Sequence, residues 1–162
     1  MKHLKKILFF IFLPVSIWGQ DKKLDLLPSL GITKPILDNG LGVHIGVNPS
    51  YVLTNHLSTE GQLSYSYTKI NGSFLSGNQG YFHSTNALVG ARLYLNKVEN
   101  TSRFYINALF GFNYLIENTN GIQTESTLFG HSIGGYFEHK KVVLGVTYDT
   151  YANLILRAGI KL

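Results

Sequence analysis

Apolar residues recur at every second position through most of this chain. Between positions 104 and 116 one set, Phe104, Ile106, Ala108, Phe110, Phe112, Tyr114 and Ile116, is wholly apolar or aromatic. The interleaved set is Tyr105, Asn107, Leu109, Gly111, Asn113 and Leu115. Successive strand side chains point to opposite faces, so the stretch predicts one β-strand with an apolar face and a mixed face. It outruns the usual strand of about 5–6 residues. It suits a tilted strand that crosses a bilayer, which needs roughly 9–11.

The same alternation predicts seven more strands, at 24–34, 41–52, 57–69, 81–95, 127–139, 142–148 and 154–162. Turn signals separate them: Asp38-Asn39-Gly40, Thr54-Asn55-His56, the polar stretch 96–102, Lys140-Lys141 and the segment 150–153. Two longer polar loops are expected, one over 70–80 and one over 117–125. Helical periodicity appears nowhere after residue 20. Pro28 interrupts the first strand, which is tolerable near a strand start or a bulge. Gly134-Gly135 points to a bulge in the sixth strand, where His131 falls on the apolar parity.

The first twenty residues differ. Lys2, Lys5 and Lys6 precede an apolar run from Ile7 to Trp18, broken by Pro14. That run is shorter than the roughly 20 residues of a spanning helix and fits a secretory signal, with cleavage expected after Gly19 or Gln20. The formal charge is +5 over 162 residues. Three of the fourteen Lys and Arg residues lie in the leader, which leaves eleven bases against nine acids, a net of +2. No basic run remains to attract nucleic acid. There is no cysteine, hence no disulfide and no lipoprotein anchor. Residues 21–162 read as one domain.

Alternation alone fits two closed barrels, one with its apolar face lining a ligand cavity and one with that face against lipid. Three features favour lipid. Gly31, Gly42, Gly46, Gly90, Gly111, Gly130, Gly134, Gly145 and Gly159 fall on the polar parity, and only Gly61 and Gly135 on the apolar one. Eight strands leave an interior just wide enough for side chains, so small residues belong there. With the N-terminus periplasmic, the outward aromatics sort into two girdles. Tyr51, Phe104 and Phe137 lie at the periplasmic ends, and Tyr65, Tyr67, Tyr81, Phe112, Tyr114 and Tyr148 toward the outer ends. Almost no charge falls on the apolar parity, where a midplane base costs roughly 2–4 kcal/mol.

The arrangement resembles the small OmpA/OmpX-like family of outer-membrane proteins. The resemblance implies an all-β fold, an eight-stranded antiparallel up-and-down transmembrane β-barrel located in the cell outer membrane. It implies outer-membrane lipid as surroundings and the barrel-assembly machinery as a partner during biogenesis. Leu154, Leu156, Ala158 and Ile160 match the family's C-terminal assembly signal, and Leu162 departs from it because the signal ends on an aromatic residue.

Six inward-parity charges, Asp25, Glu60, Arg92, Glu138, Arg157 and Lys161, are expected to form a luminal ion-pair network that plugs the barrel. Buried charges persist when paired and hydrogen-bonded. Asp25 and Lys161 should meet across the seam between the first and last strands. A lipid-modifying enzyme is a second possibility, with His83, Ser84, Asp149 and Thr150 as its candidate groups. A soluble periplasmic carrier of an apolar ligand is a third. His44 and His131 are single histidines on separate strands, short of the three or four ligands a metal needs. Gly40-Leu41-Gly42 precedes a strand and so is no dinucleotide fingerprint. No cofactor is implied. A surface tip at Phe74-Leu75 is the sequence's one candidate adhesive loop, and no surface partner can be named from the residues.

Overall fold

The computed structural model describes residues 24–36, 38–73, 79–97 and 101–162. The leader 1–20 and the Phe74-Leu75 tip lie outside these residues. Eight strands form one closed antiparallel ring in chain order, so each strand pairs with its sequence neighbour and β1 closes on β8. They are β1 (Leu24–Lys34), β2 (Asp38–Val52), β3 (Leu57–Ser73), β4 (Gln79–Tyr94), β5 (Ser102–Thr119), β6 (Ile122–His139), β7 (Val142–Asp149) and β8 (Asn153–Ile160). Closure leaves no open edge within the ring, which a bilayer demands because it offers backbone groups no water.

The strands are strongly offset. One hydrogen-bonded row runs Leu24, Tyr51, Thr59, Ala91, Ala108, Ile133, Tyr148, Leu154 and returns to β1 at Lys34. It comes back ten residues beyond its start, at 34 instead of 24. Such a stagger forces the strands to tilt about 35–45° from the axis.

The polar face is inside. Thr33, His44, Asn48, Gln62, Ser64, Thr68, Asn86, Asn107, Asn113 and Thr147 are all buried. Leu30, Ile32, Leu41, Val43 and Ile45 are each more than half exposed. Exposed apolar patches on soluble monomers rarely exceed a few hundred Å². A continuous apolar band around the whole ring therefore belongs against hydrocarbon. The apolar-cavity carrier is overturned, because the inward face carries mainly amides, hydroxyls and ions rather than apolar side chains.

Glycine sets how closely interior groups approach. The Thr33 and Thr68 hydroxyls hydrogen-bond at 2.8 Å, from β1 to β3, across Gly42 of β2. A β-carbon at 42 would strike both hydroxyls. The Tyr136 ring lies over Gly145 in the same way, its hydroxyl 2.8 Å from Thr147. Gly145→Ala should therefore cost about 1–3 kcal/mol, the usual range for overpacking. Gly135→Ala, where a β-carbon meets nothing within 4 Å, should be silent. Urea titration of the folded band on unboiled gels distinguishes the two.

Three expectations are corrected. The 117–125 loop is mostly strand: β5 runs to Thr119, β6 starts at Ile122, and only Asn120-Gly121 turns. Both turn residues have positive φ, 53° and 84°, as a two-residue type I′ hairpin requires. Polar composition there signals water on both faces of a ribbon, not a loss of pairing. Strands likewise reach Ser73 and resume at Gln79, which shortens the 70–80 loop. The Gly134-Gly135 bulge is absent, since β5–β6 pairing is continuous from Ser102 to Thr119. The recorded shift lies instead between Asp38 and Gly40 of β2.

Candidate functional site

The interior is the chemically richest part of the molecule. Inward positions of β3, β4 and β5 place Glu60, Arg92 and Asn107 side by side. Arg92 Nε donates to Glu60 Oε2 at 3.0 Å, with both side chains almost fully buried. Asn107 donates to the same oxygen at 3.2 Å, and Asn48 to Oε1 at 2.7 Å. The Arg92 guanidinium also lies 4.3 Å from the centre of the Tyr105 ring and donates to the Tyr94 hydroxyl at 3.2 Å. A buried carboxylate facing a guanidinium and two amides is compensated from three sides.

A second ionic group sits at the seam. Lys161 Nζ is 2.7 Å from Asp25 and 3.5 Å from Glu138, and Glu138 also takes an ion pair from Arg103. Three tyrosines in ring contact join the two groups, Tyr105 stacked on Tyr136 and tilted against Tyr94. Tyr94 and Tyr105 have ring centres 5.3 Å apart, Tyr105 and Tyr136 4.8 Å. Arg103 lies 4.9 Å from the centre of the Tyr94 ring.

Toward the other end of the lumen charge thins out and amides and hydroxyls take over. Asn86 donates to Asp149 at 3.0 Å, and the Ser84 hydroxyl lies between the Asn86 and Asn113 carbonyl oxygens and accepts from the Asn113 amide at 3.0 Å. Asp149 accepts from the backbone N–H groups of Tyr151 and Ala152, which shapes the β7–β8 turn.

No protein-family model matches the sequence, and no curated protein matches it. Solved structures do. Ail, the attachment invasion locus protein of Yersinia pestis, solved with the heparin analogue sucrose octasulfate, aligns with a TM-score of 0.51 at 14% identity. That alignment covers 86% of this chain and 97% of the other. The N-terminal β-barrel domain of Pseudomonas aeruginosa OprF aligns at 0.51 and 13% identity, over 88% and 98% of the two chains. Neisserial surface protein A aligns at 0.53 and 15% identity, over 86% and 94%.

The fold is that of the small eight-stranded outer-membrane β-barrels. Within this barrel the six expected luminal charges divide. Glu60 meets Arg92, and Lys161 meets both Asp25 and Glu138. Arg157 has no carboxylate within 4 Å among the described residues. It donates to Gln62 at 3.1 Å, and Asn48 then links Gln62 to Glu60. Arg103, absent from the expected set, belongs to it. It stands one residue before the strand start inferred from hydropathy, so its parity went unread. Tyr94 and Tyr105 fall on the polar or mixed parity, and only the tertiary fold brings them together with Tyr136.

The girdle residues all face outward. Tyr51, Phe104 and Phe137 line one end of the barrel, with Phe104 and Phe137 ring centres 4.9 Å apart. Tyr65, Tyr67, Tyr81, Phe112, Tyr114 and Tyr148 line the other, joined by Phe129, which is 65% exposed.

The barrel pulls the candidate catalytic groups apart. His83 lies on the outer surface, whereas Ser84 is fully buried in the lumen. Thr150 bonds to His131 on the exterior, and Asp149 points inward. Of these four candidates, His83 and Thr150 face outward and Ser84 and Asp149 inward, so the proposed group does not assemble. His44 bonds to Ser66 inside at 2.8 Å. Among the described residues no three His, Cys, Asp or Glu side chains converge on a metal site.

Proposed function

We propose that this chain is a non-enzymatic outer-membrane β-barrel that presents a raised strand pair at the cell surface above a plugged lumen. The observation that carries this reading is the unequal height of the wall. β5 and β6 are 18 residues each, whereas β7 and β8 are 8 each. β6 pairs with β7 only from Ser132 to His139. Its stretch from Ile122 to Leu128 therefore has a ladder partner on one side alone. An unpaired edge cannot lie in hydrocarbon; above it, in water, such an edge suits strand addition by an extended segment of another protein. Ile122 and Leu128 stand exposed along it. Two of the similar structures are named for attachment and for the cell surface.

Packing supports the plug. Arg92, Tyr105, Tyr94, Gln62, Asn48 and Asn86 are each at most 2% exposed, so side chains occupy the axis. Single-channel recordings should show no stable conductance.

Location is tested by labelling. Thr124→Cys near the tall hairpin and Lys141→Cys at the opposite turn each add the chain's one cysteine. A membrane-impermeant maleimide should modify position 124 in intact cells, and position 141 only after the outer membrane is breached. Reversed labelling inverts the orientation; protection of both positions removes the surface role.

A further inference from the structure

One stretch of the outer girdle gathers three tyrosines around a histidine and ends on a lysine. Tyr65, Tyr67 and Lys69 follow one another on the outward side of β3, against Thr85, His83 and Tyr81 on β4. The His83 ring centre lies 5.0 Å from that of Tyr67, 5.3 Å from Tyr81 and 5.8 Å from Tyr65. The Tyr65 hydroxyl hydrogen-bonds His83 Nδ1, which leaves Nε2 for another partner. Beside these groups Tyr114 and Ile116 of β5 and Gln123 of β6 complete a cleft of about 270 Å³. Lys69 is exposed, with no carboxylate within 4 Å among the described residues. The carboxylate of Glu125 nearby is engaged by the Tyr114 hydroxyl at 2.5 Å.

We infer that Lys69, His83 and the Tyr65–Tyr67–Tyr81 cluster form a site for the phosphate of an anionic lipid headgroup in the outer leaflet. An outward lysine is costly at the bilayer midplane and nearly free at the interface. Lys69 stands immediately beyond the tyrosines of the outer girdle, where headgroups lie. The patch presents an ammonium, an imidazole nitrogen and the Tyr67 and Tyr81 hydroxyls, while the Glu125 carboxylate is held on the far side of the cleft by Tyr114 and Gln123. That donor-rich surface complements an anion. Its direction selects the source: the cluster faces the lipid layer, not the lumen or the water above.

This site rests on the membrane reading above, and the test separates the two. The full chain is folded into phosphatidylcholine vesicles containing spin-labelled phosphatidic acid or spin-labelled phosphatidylcholine. Protease protection and heat-modifiability report insertion; the immobilised spectral component reports lipid association. The inserted barrel should prefer phosphatidic acid by about fivefold, the equivalent of about 1 kcal/mol for one interfacial lysine. Lys69→Gln with His83→Gln should bring the ratio close to one. Lys69→Arg should keep it, and so should Lys140→Gln with Lys141→Gln at the opposite rim. An inserted double variant with an unchanged ratio overturns the site, as does loss of the ratio through the rim lysines alone. Displacement by inorganic phosphate at matched ionic strength assigns the patch to free anions and overturns the lipid source. Failure of the unaltered chain to insert overturns the membrane reading instead.

Discussion

Arg92→Met should cost the folded barrel about 3–5 kcal/mol, the range for removing one partner of a buried ion pair. The substitution keeps a long apolar stem, so the loss comes from charge and hydrogen bonding more than from volume. Glu60 would retain its contacts to Asn48 at 2.7 Å and Asn107 at 3.2 Å. Two neutral amides do not replace a guanidinium against a carboxylate that is 4% exposed. Tyr94 and Tyr105 would lose the cation between them. Glu60→Gln added to Arg92→Met should restore much of the loss, because no bare charge then remains inside. Urea titration in vesicles, read as the shift between folded and unfolded bands, supplies both values. A single-variant cost below about 1 kcal/mol, the ceiling for exposed pairs, would show that the lumen is wet and the plug loose.

Ala108→Arg is expected to be nearly as damaging for the opposite reason. Ala108 points outward from the middle of β5, between Ala91 and Ile133 in the ladder. A basic side chain on the lipid face costs about 2–4 kcal/mol at the midplane and about 0–1 near the interfaces. Gln123→Arg, on the exposed hairpin above, serves as the matched control and should be silent. Assembly yield in the outer membrane and unfolding in vesicles should rank the two variants alike. Equal tolerance at 108 and 123 would contradict the outward assignment of the apolar face. Asn107→Asp is a poor luminal control, because its amide already donates to Glu60 and a carboxylate there would repel it.

Much of the molecule could be read from one local rule. Parity alone placed Leu30, Val43, Ile106 and Val89 outside and Asn48, Asn86, Asn107 and Asn113 inside. The same rule, applied to neighbours, separates His83 from Ser84, since adjacent strand residues cannot share a face. The tall hairpin carried a usable signal in Asn120-Gly121. It went unread because polar residues on both faces of a ribbon in water look like a loop. Arg103 was missed because one misplaced strand end hides one side chain.

By itself the sequence determined the eight strands, the polar side of each and the aromatic edges of the apolar band. Those properties depend on residues two apart, and a period of two survives any register. Beyond the seam pair Asp25–Lys161, only the tertiary structure decided which interior groups meet. The β3–β4 register sets Glu60 against Arg92, Lys161 reaches Glu138 as well as Asp25, and the ten-residue offset accumulated around the ring leaves Arg157 of β8 to Gln62 of β3. Contacts across a lumen depend on that accumulated stagger and on the space glycines leave, and no short stretch of chain encodes either.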